Sequence, residues 1–150
     1  MQAQRMPVTA QTRCLVIEDN LFDQKMIQRT LSGASVEIEL DFATTLAAAR
    51  RLLALHHYAV ILCDNNLPDG NGTDFAQDLA NNAKYNDTRI VIVSGWPSPF
   101  MWAKAKAAGL QIVDKNDQPQ AKLMQIISQR FGTRRLRAPA TVTELKPKST

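Results

Sequence analysis

No apolar run in this sequence is long enough to span a bilayer, which sets aside a membrane-spanning chain. Residues 1–12 are largely polar and lack the apolar centre of a signal peptide. Only two cysteines occur, Cys14 and Cys63, too few for a secreted disulfide scaffold. These absences lead us to expect a cytoplasmic protein with free thiols. No internal repeat is present. The body of the chain also lacks a charge excess. The formal net charge is +4, and a basic balance invites a nucleic-acid reading. Residues 134–150, however, hold Arg134, Arg135, Arg137, Lys146 and Lys148 against Glu144, and so carry the whole excess. Residues 1–133 contain thirteen basic and thirteen acidic residues, which cancel. That argues against a body built as a broad basic footprint.

What is present is an alternation of apolar runs and amphipathic segments. Residues 13–17, 58–63 and 89–93 are continuous apolar runs bounded by polar residues, the signature of strands buried on both faces. Val36, Ile38 and Leu40 alternate with Glu37, Glu39 and Asp41, which predicts a half-buried edge strand. Residues 110–113 predict a short last strand. Helices are predicted over 21–31, 44–55, 73–82, 98–108 and 117–131, with Thr44 or Thr45 capping the second and Pro119 in the first turn of the last. In the first of these, Leu21, Phe22, Met26, Ile27 and Leu31 supply the apolar positions. Residues 65–72, with Pro68, Gly70 and Gly72, predict a loop. Five β-α units imply a parallel sheet covered by helices on both faces. The expected fold is α/β, a flavodoxin-like (βα)5 doubly wound sheet in the order 2-1-3-4-5. Residues 12–132 would form this domain, after a flexible segment 1–11 and before a basic, disordered tail 133–150.

In an open α/β sheet, ligands bind beyond the carboxyl ends of the strands. The first strand ends at Glu18 and Asp19, the third at Asp64, the fourth at Ser94 and the fifth at Lys115. Three carboxylates, a hydroxyl and an ammonium therefore converge on one rim. Clustered carboxylates repel unless something positive lies among them. A hard divalent cation such as Mg²⁺ suits an oxygen-only set of this kind. Lys115 adds a second positive point suited to a phosphoryl oxygen, and Ser94 can donate to another. With its charge compensated, one carboxylate can act as a nucleophile and form an acyl phosphate.

This combination resembles the CheY-like receiver domain of two-component response regulators. Glu18-Asp19 stands where that family has its metal-binding acid pair, forty-five residues before Asp64 at Asp19. Asp64 opens the pattern Asp64-x-x-Leu67-Pro68-x-x-x-Gly72. Ser94-Gly95 follows Asp64 by thirty residues, and Lys115 by fifty-one. The likeness spans residues 12–131. It implies that Asp64 accepts phosphate from a sensor histidine kinase or a histidine phosphotransfer protein. It also implies that Asp19 and Asp64 ligate Mg²⁺, with Glu18 acting through water and the Asn66 backbone carbonyl adding an oxygen. Ser94 and Lys115 would hold the phosphoryl oxygens. The expected protein is a stand-alone receiver without a DNA-binding domain or membrane contact, a monomer or weak dimer. Its output would be altered contact with a downstream protein, or phosphorelay. The alternative is a receiver-like interaction module that works without phosphorylation.

Two departures from the family pattern bear on that alternative. Lys115 is followed by Asn116, where the family has proline, and Ile112 stands at the family's aromatic switch position. Trp96, Phe100 and Trp102 either pack the fourth helix or form an exposed partner surface that takes over part of the readout. Other readings are weaker. A calcium loop starting at Asp64 would place Phe75 where it needs Glu. His56-His57 has poor geometry for one metal and reads as a helix C-terminal cap or solvated surface. A flavin phosphate would be repelled by Glu18-Asp19-Asn20. Cys63 should face away from Asp64 into the core. Cys14 and Cys63 would be offset by roughly 13 Å at strand rise, too far for a disulfide.

Overall fold

The structure, a computed structural model, describes residues 12–131; the expectations for 1–11 and 133–150 lie outside them. The apolar runs form β1 (Arg13–Ile17), β2 (Glu39–Ala43), β3 (Val60–Asp64), β6 (Arg89–Ser94) and β7 (Gln111–Asp114). All pair in parallel, in the order β2-β1-β3-β6-β7. Counted over this sheet alone, that is the expected order 2-1-3-4-5. A separate antiparallel pair, β4 (Asn66–Leu67) with β5 (Gly70–Asn71), lies within the segment expected as plain loop. Two-residue strands carry no periodicity that a sequence can display.

Alternating side chains divide the core between the two faces of the sheet. Leu15, Ile17, Ile61, Cys63 and Ile92 pack with helices α2 (Leu46–Leu55), α3 (Gly72–Ala80) and α4 (Pro99–Ala107). Cys14, Val16, Val60, Leu62 and Val93 pack with α1 (Leu21–Leu31) and α5 (Pro119–Phe131). All five residues of β3 are buried, as its unbroken apolar run demands. The helices start where capping side chains allow. Asn20, Thr45, Asn71 and Ser98 each accept from a backbone N–H of the first turn. Thr45, rather than Thr44, caps α2. His56 is the C-cap of α2, and His57 lies 3.3 Å from Asp87.

Several expectations need correction. The second strand runs from Glu39 to Ala43, three residues later than the alternation begins, because β1 offers partners only from Arg13 opposite Glu39. Leu21 and Phe22 do not face the core; Phe22 is 80% exposed. Five residues before Ile27, Phe22 is turned roughly 140° from it at 3.6 residues per turn. Cys14 pairs with Val60 and Ile17 with Cys63, so the two thiols are offset by three residues, about 10 Å rather than 13 Å. They also lie on opposite faces and are free and buried. Burial pushes both thiols' pKa above the ordinary cysteine value. Among the described residues, no helix is long and apolar enough to cross a membrane.

Candidate functional site

The acid side of the site is built where β1 turns into α1. Glu18 still belongs to the ladder: its N–H donates to the Ala43 carbonyl at 2.9 Å. Its side chain is buried, and Oε2 accepts from the Asn20 N–H at 3.1 Å. Asp19, next in the chain, is exposed. Asp64 ends β3 on the neighbouring strand and is 7% exposed. One carboxylate oxygen from each of Glu18, Asp19 and Asp64 lies within 4.8 Å of the others.

The loop after Asp64 is locked in place. The buried Asn65 side-chain oxygen accepts from the Thr73 hydroxyl at 2.6 Å and the Thr73 N–H at 3.2 Å. The Gly72 N–H donates to the Asn65 carbonyl at 2.8 Å. Asp69, in the turn between β4 and β5, accepts from the N–H groups of Leu46 and Ala47 at 2.8 and 3.0 Å. Those bonds hold its carboxyl below the ordinary pKa. Asp69 thereby ties the post-Asp64 hairpin to the N-terminus of α2.

The basic side comes from the last strand. The Lys115 N–H donates to the Ser94 carbonyl at 2.8 Å, which brings the lysine to the rim. Its Nζ lies 2.8 Å from Glu18 Oε1, 2.8 Å from Asp23 Oδ2 and 3.1 Å from Asp64 Oδ1. Burial works against the ammonium, but the Asp23, Glu18 and Asp64 carboxylates around it prevail and hold its pKa above the ordinary value. For both Asp64 and Glu18, burial pushes the pKa up and Lys115 only partly offsets it. The loop that lacks proline closes through Asn116. Its side-chain amide donates to the Gly95 carbonyl at 3.3 Å and its N–H to Asp114 Oδ1 at 2.8 Å. Among the described residues no peptide bond is cis.

Of the six residues singled out from sequence, Glu18, Asp64 and Lys115 meet directly and Asp19 stands beside them. Ser94 is buried at the end of β6, and Asn66 is exposed in β4. Among the described residues, no ion pair or hydrogen bond links the Ser94 or Asn66 side chains to the cluster. Asp23 was not anticipated. The available signal was its place one helical turn after Asp19, in the first turn of α1. Ile112 is half-buried against the core, so no aromatic ring occupies the switch position. Trp96, Phe100 and Trp102 are exposed rather than packed, Trp96 by 84%.

The model of the response regulator receiver domain matches residues 14–128. The chain belongs to this family. The receiver is similar in fold to CheY4 of Vibrio cholerae, a chemotaxis response regulator, at 21% identity and TM-score 0.67, covering 82% of this chain and 99% of that one. It is also similar to the signal receiver domain of a DNA-binding response regulator from Colwellia psychrerythraea 34H, at 16% identity and TM-score 0.73, covering 81% and 98%. The Mn²⁺-bound form of the response regulator Rcp1 matches at 17% identity and TM-score 0.66, covering 79% and 90%. No curated sequence matches the chain.

The receiver's acid pocket fits a divalent cation. Glu18 Oε1 is buried and 2.8 Å from Lys115 Nζ, yet no aligned hydrogen bond satisfies it. Glu18, Asp19 and Asp64 cluster, with Asp23 beside them, against the single ammonium of Lys115, and a divalent cation would offset the negative charge that Lys115 alone leaves uncompensated. The donor set is all oxygen, which favours Mg²⁺-like ions over softer metals.

Proposed function

We propose that Asp64 is a phosphoacceptor, loaded by a sensor histidine kinase or histidine phosphotransfer protein in the cytoplasm in a Mg²⁺-dependent reaction. One Asp64 oxygen attacks the phosphorus of the donor. The P–N bond to the donor's imidazole breaks, and its electron pair stays on nitrogen. Lys115 and Ser94 hold phosphoryl oxygens as their charge shifts. Asp19 and Asp64 would ligate Mg²⁺, with Glu18 acting through water and the Asn66 carbonyl adding an oxygen. The ion, when bound, supplies positive charge against the phosphoryl oxygens. Signalling then follows from altered contact with a downstream protein or from onward transfer, by a monomer or weak dimer.

The observation that carries this reading is the 3.1 Å contact of Lys115 with an Asp64 carboxylate that also borders Glu18 and Asp19. It joins a nucleophile, a cation pocket and an oxyanion partner at one point. The test is incubation with acetyl phosphate and Mg²⁺, followed by detection of base-labile acyl phosphate. Wild type should be labelled, and Asp64→Asn or chelator-treated protein should not. Equal labelling of Asp64→Asn would remove the reading. Partner capture insensitive to Asp64→Asn would favour the module that works without phosphorylation.

A further inference from the structure

Asp23 belongs neither to the acid pair nor to the Asp64 strand. It nevertheless lies as close to Lys115 Nζ as Glu18 does, at 2.8 Å, and closer than Asp64 at 3.1 Å. Ninety-two residues separate the two in sequence. Asp23 sits in the first turn of α1, where its N–H donates to the Asn20 cap at 2.9 Å, so its backbone is fixed. The Asp23 and Lys115 side chains are only 21% and 14% exposed. Salt therefore screens the pair less than it would a surface pair.

Lys115 has three ammonium hydrogens, and three carboxylates surround them. A phosphoryl group on Asp64 would add oxygens and negative charge and would need one of those hydrogens. Two demands then conflict. The phosphoryl oxygen competes with Asp23 for the ammonium, and Asp23's charge repels the phosphoryl group. For a cation in the acid pocket the sign reverses, because Asp23 adds attraction and draws Lys115 aside.

We propose that Asp23 is a positioning residue that holds Lys115 in a resting pose and opposes occupation of the site by a phosphoryl group. The proposal rests on the reading of Asp64 as phosphoacceptor. Asp23 acts through Lys115 and touches no reacting atom. It biases the receiver toward the metal-loaded, unphosphorylated state, so loss of its charge should favour the phosphorylated one.

The experiment is calorimetric titration of the full chain, first with Mg²⁺ alone and then with beryllofluoride at saturating Mg²⁺. Asp23→Asn should bind Mg²⁺ more weakly and beryllofluoride more tightly, each by about threefold to tenfold for a unit charge near a protein surface. Asp23→Ser, a second neutral variant, should give the same split. Asp23→Glu, which keeps the charge, should give a smaller one. A merely structural role for Asp23 would weaken both ligands together. Parallel loss, or no change in either titration, overturns the proposal. If wild type binds no beryllofluoride, the phosphoacceptor reading itself fails and takes this inference with it. That failure is visible without any Asp23 variant.

Discussion

Gly72 presses against the backbone of Asp64. A Cβ placed on Gly72 would stand 1.8 Å from the Asp64 carbonyl oxygen and 3.0 Å from Cys63 Sγ. The first obstacle is backbone, which cannot rotate away. The start of α3 thus leans directly on the residue that carries the candidate chemistry.

Gly72→Ala should therefore destabilise the fold by about 3 kcal/mol, the upper range for overpacking. The check is urea unfolding, with a lower midpoint at an unchanged slope. A midpoint equal to that of wild type would mean that α3 can retreat from Asp64.

Asn65→Ala should cost about 2 kcal/mol, because it strands the buried Thr73 hydroxyl and N–H. Asn66→Ala, one residue on and exposed, should leave stability within about 0.5 kcal/mol of wild type. It should also leave Mg²⁺ affinity unchanged, since only a backbone carbonyl is assigned to the ion there. Weakened Mg²⁺ binding by Asn66→Ala would assign its side chain instead.

The pH dependence of stability has a definite sign. Asp64 and Glu18 both have raised pKa values, chiefly from burial. A raised folded pKa gives stability that is complete below the ordinary carboxylate pKa and is lost as pH rises through the folded value. Lys115 is also raised, so its contribution is complete below the ordinary lysine pKa and constant across this window. Metal-free wild type should thus weaken from about pH 4 toward neutrality. Asp64→Asn should be more stable than wild type near pH 7 by about 1 kcal/mol, with the gap closing in acid. Mg²⁺ should restore wild type at neutral pH by binding only the folded state. Urea midpoints with and without chelator measure all three. A wild type more stable than Asp64→Asn at neutral pH without metal would contradict the assignment.

Both tryptophans of the chain, Trp96 and Trp102, lie between β6 and the middle of α4. In a Trp102→Phe protein, Trp96 should change emission when Mg²⁺ and beryllofluoride are added, and should not in the Asp64→Asn background. Constant emission would exclude Trp96 from the readout that Ile112 cannot supply by rotating a ring.

The strands were legible because they are unbroken apolar runs, and their ends named Glu18, Asp64, Ser94 and Lys115 in advance. Strand ends are local facts. Asp23 was not legible because its partner is ninety-two residues away, and an acid in a first turn reads equally well as a response to the helix dipole. The Asp69 bonds to α2 were hidden for the same reason. Leu21 and Phe22 misled because apolar residues at a helix start satisfy a count of hydrophobic positions without sharing the face of Ile27. The second strand began late because its partner strand, and not its own alternation, set the boundary.

The sheet order gives the two sides of the site unequal footing. β3, which carries Asp64, is the middle strand and is bonded on both sides, whereas β7, which delivers Lys115, is an edge strand bonded on one. Amide hydrogens of residues 60–64 should accordingly be among the slowest in the molecule to exchange with deuterium, and those of 111–115 among the faster of the sheet. The acid side would then be anchored in the strand of the sheet that opens last, and the lysine side at a margin that opens more readily.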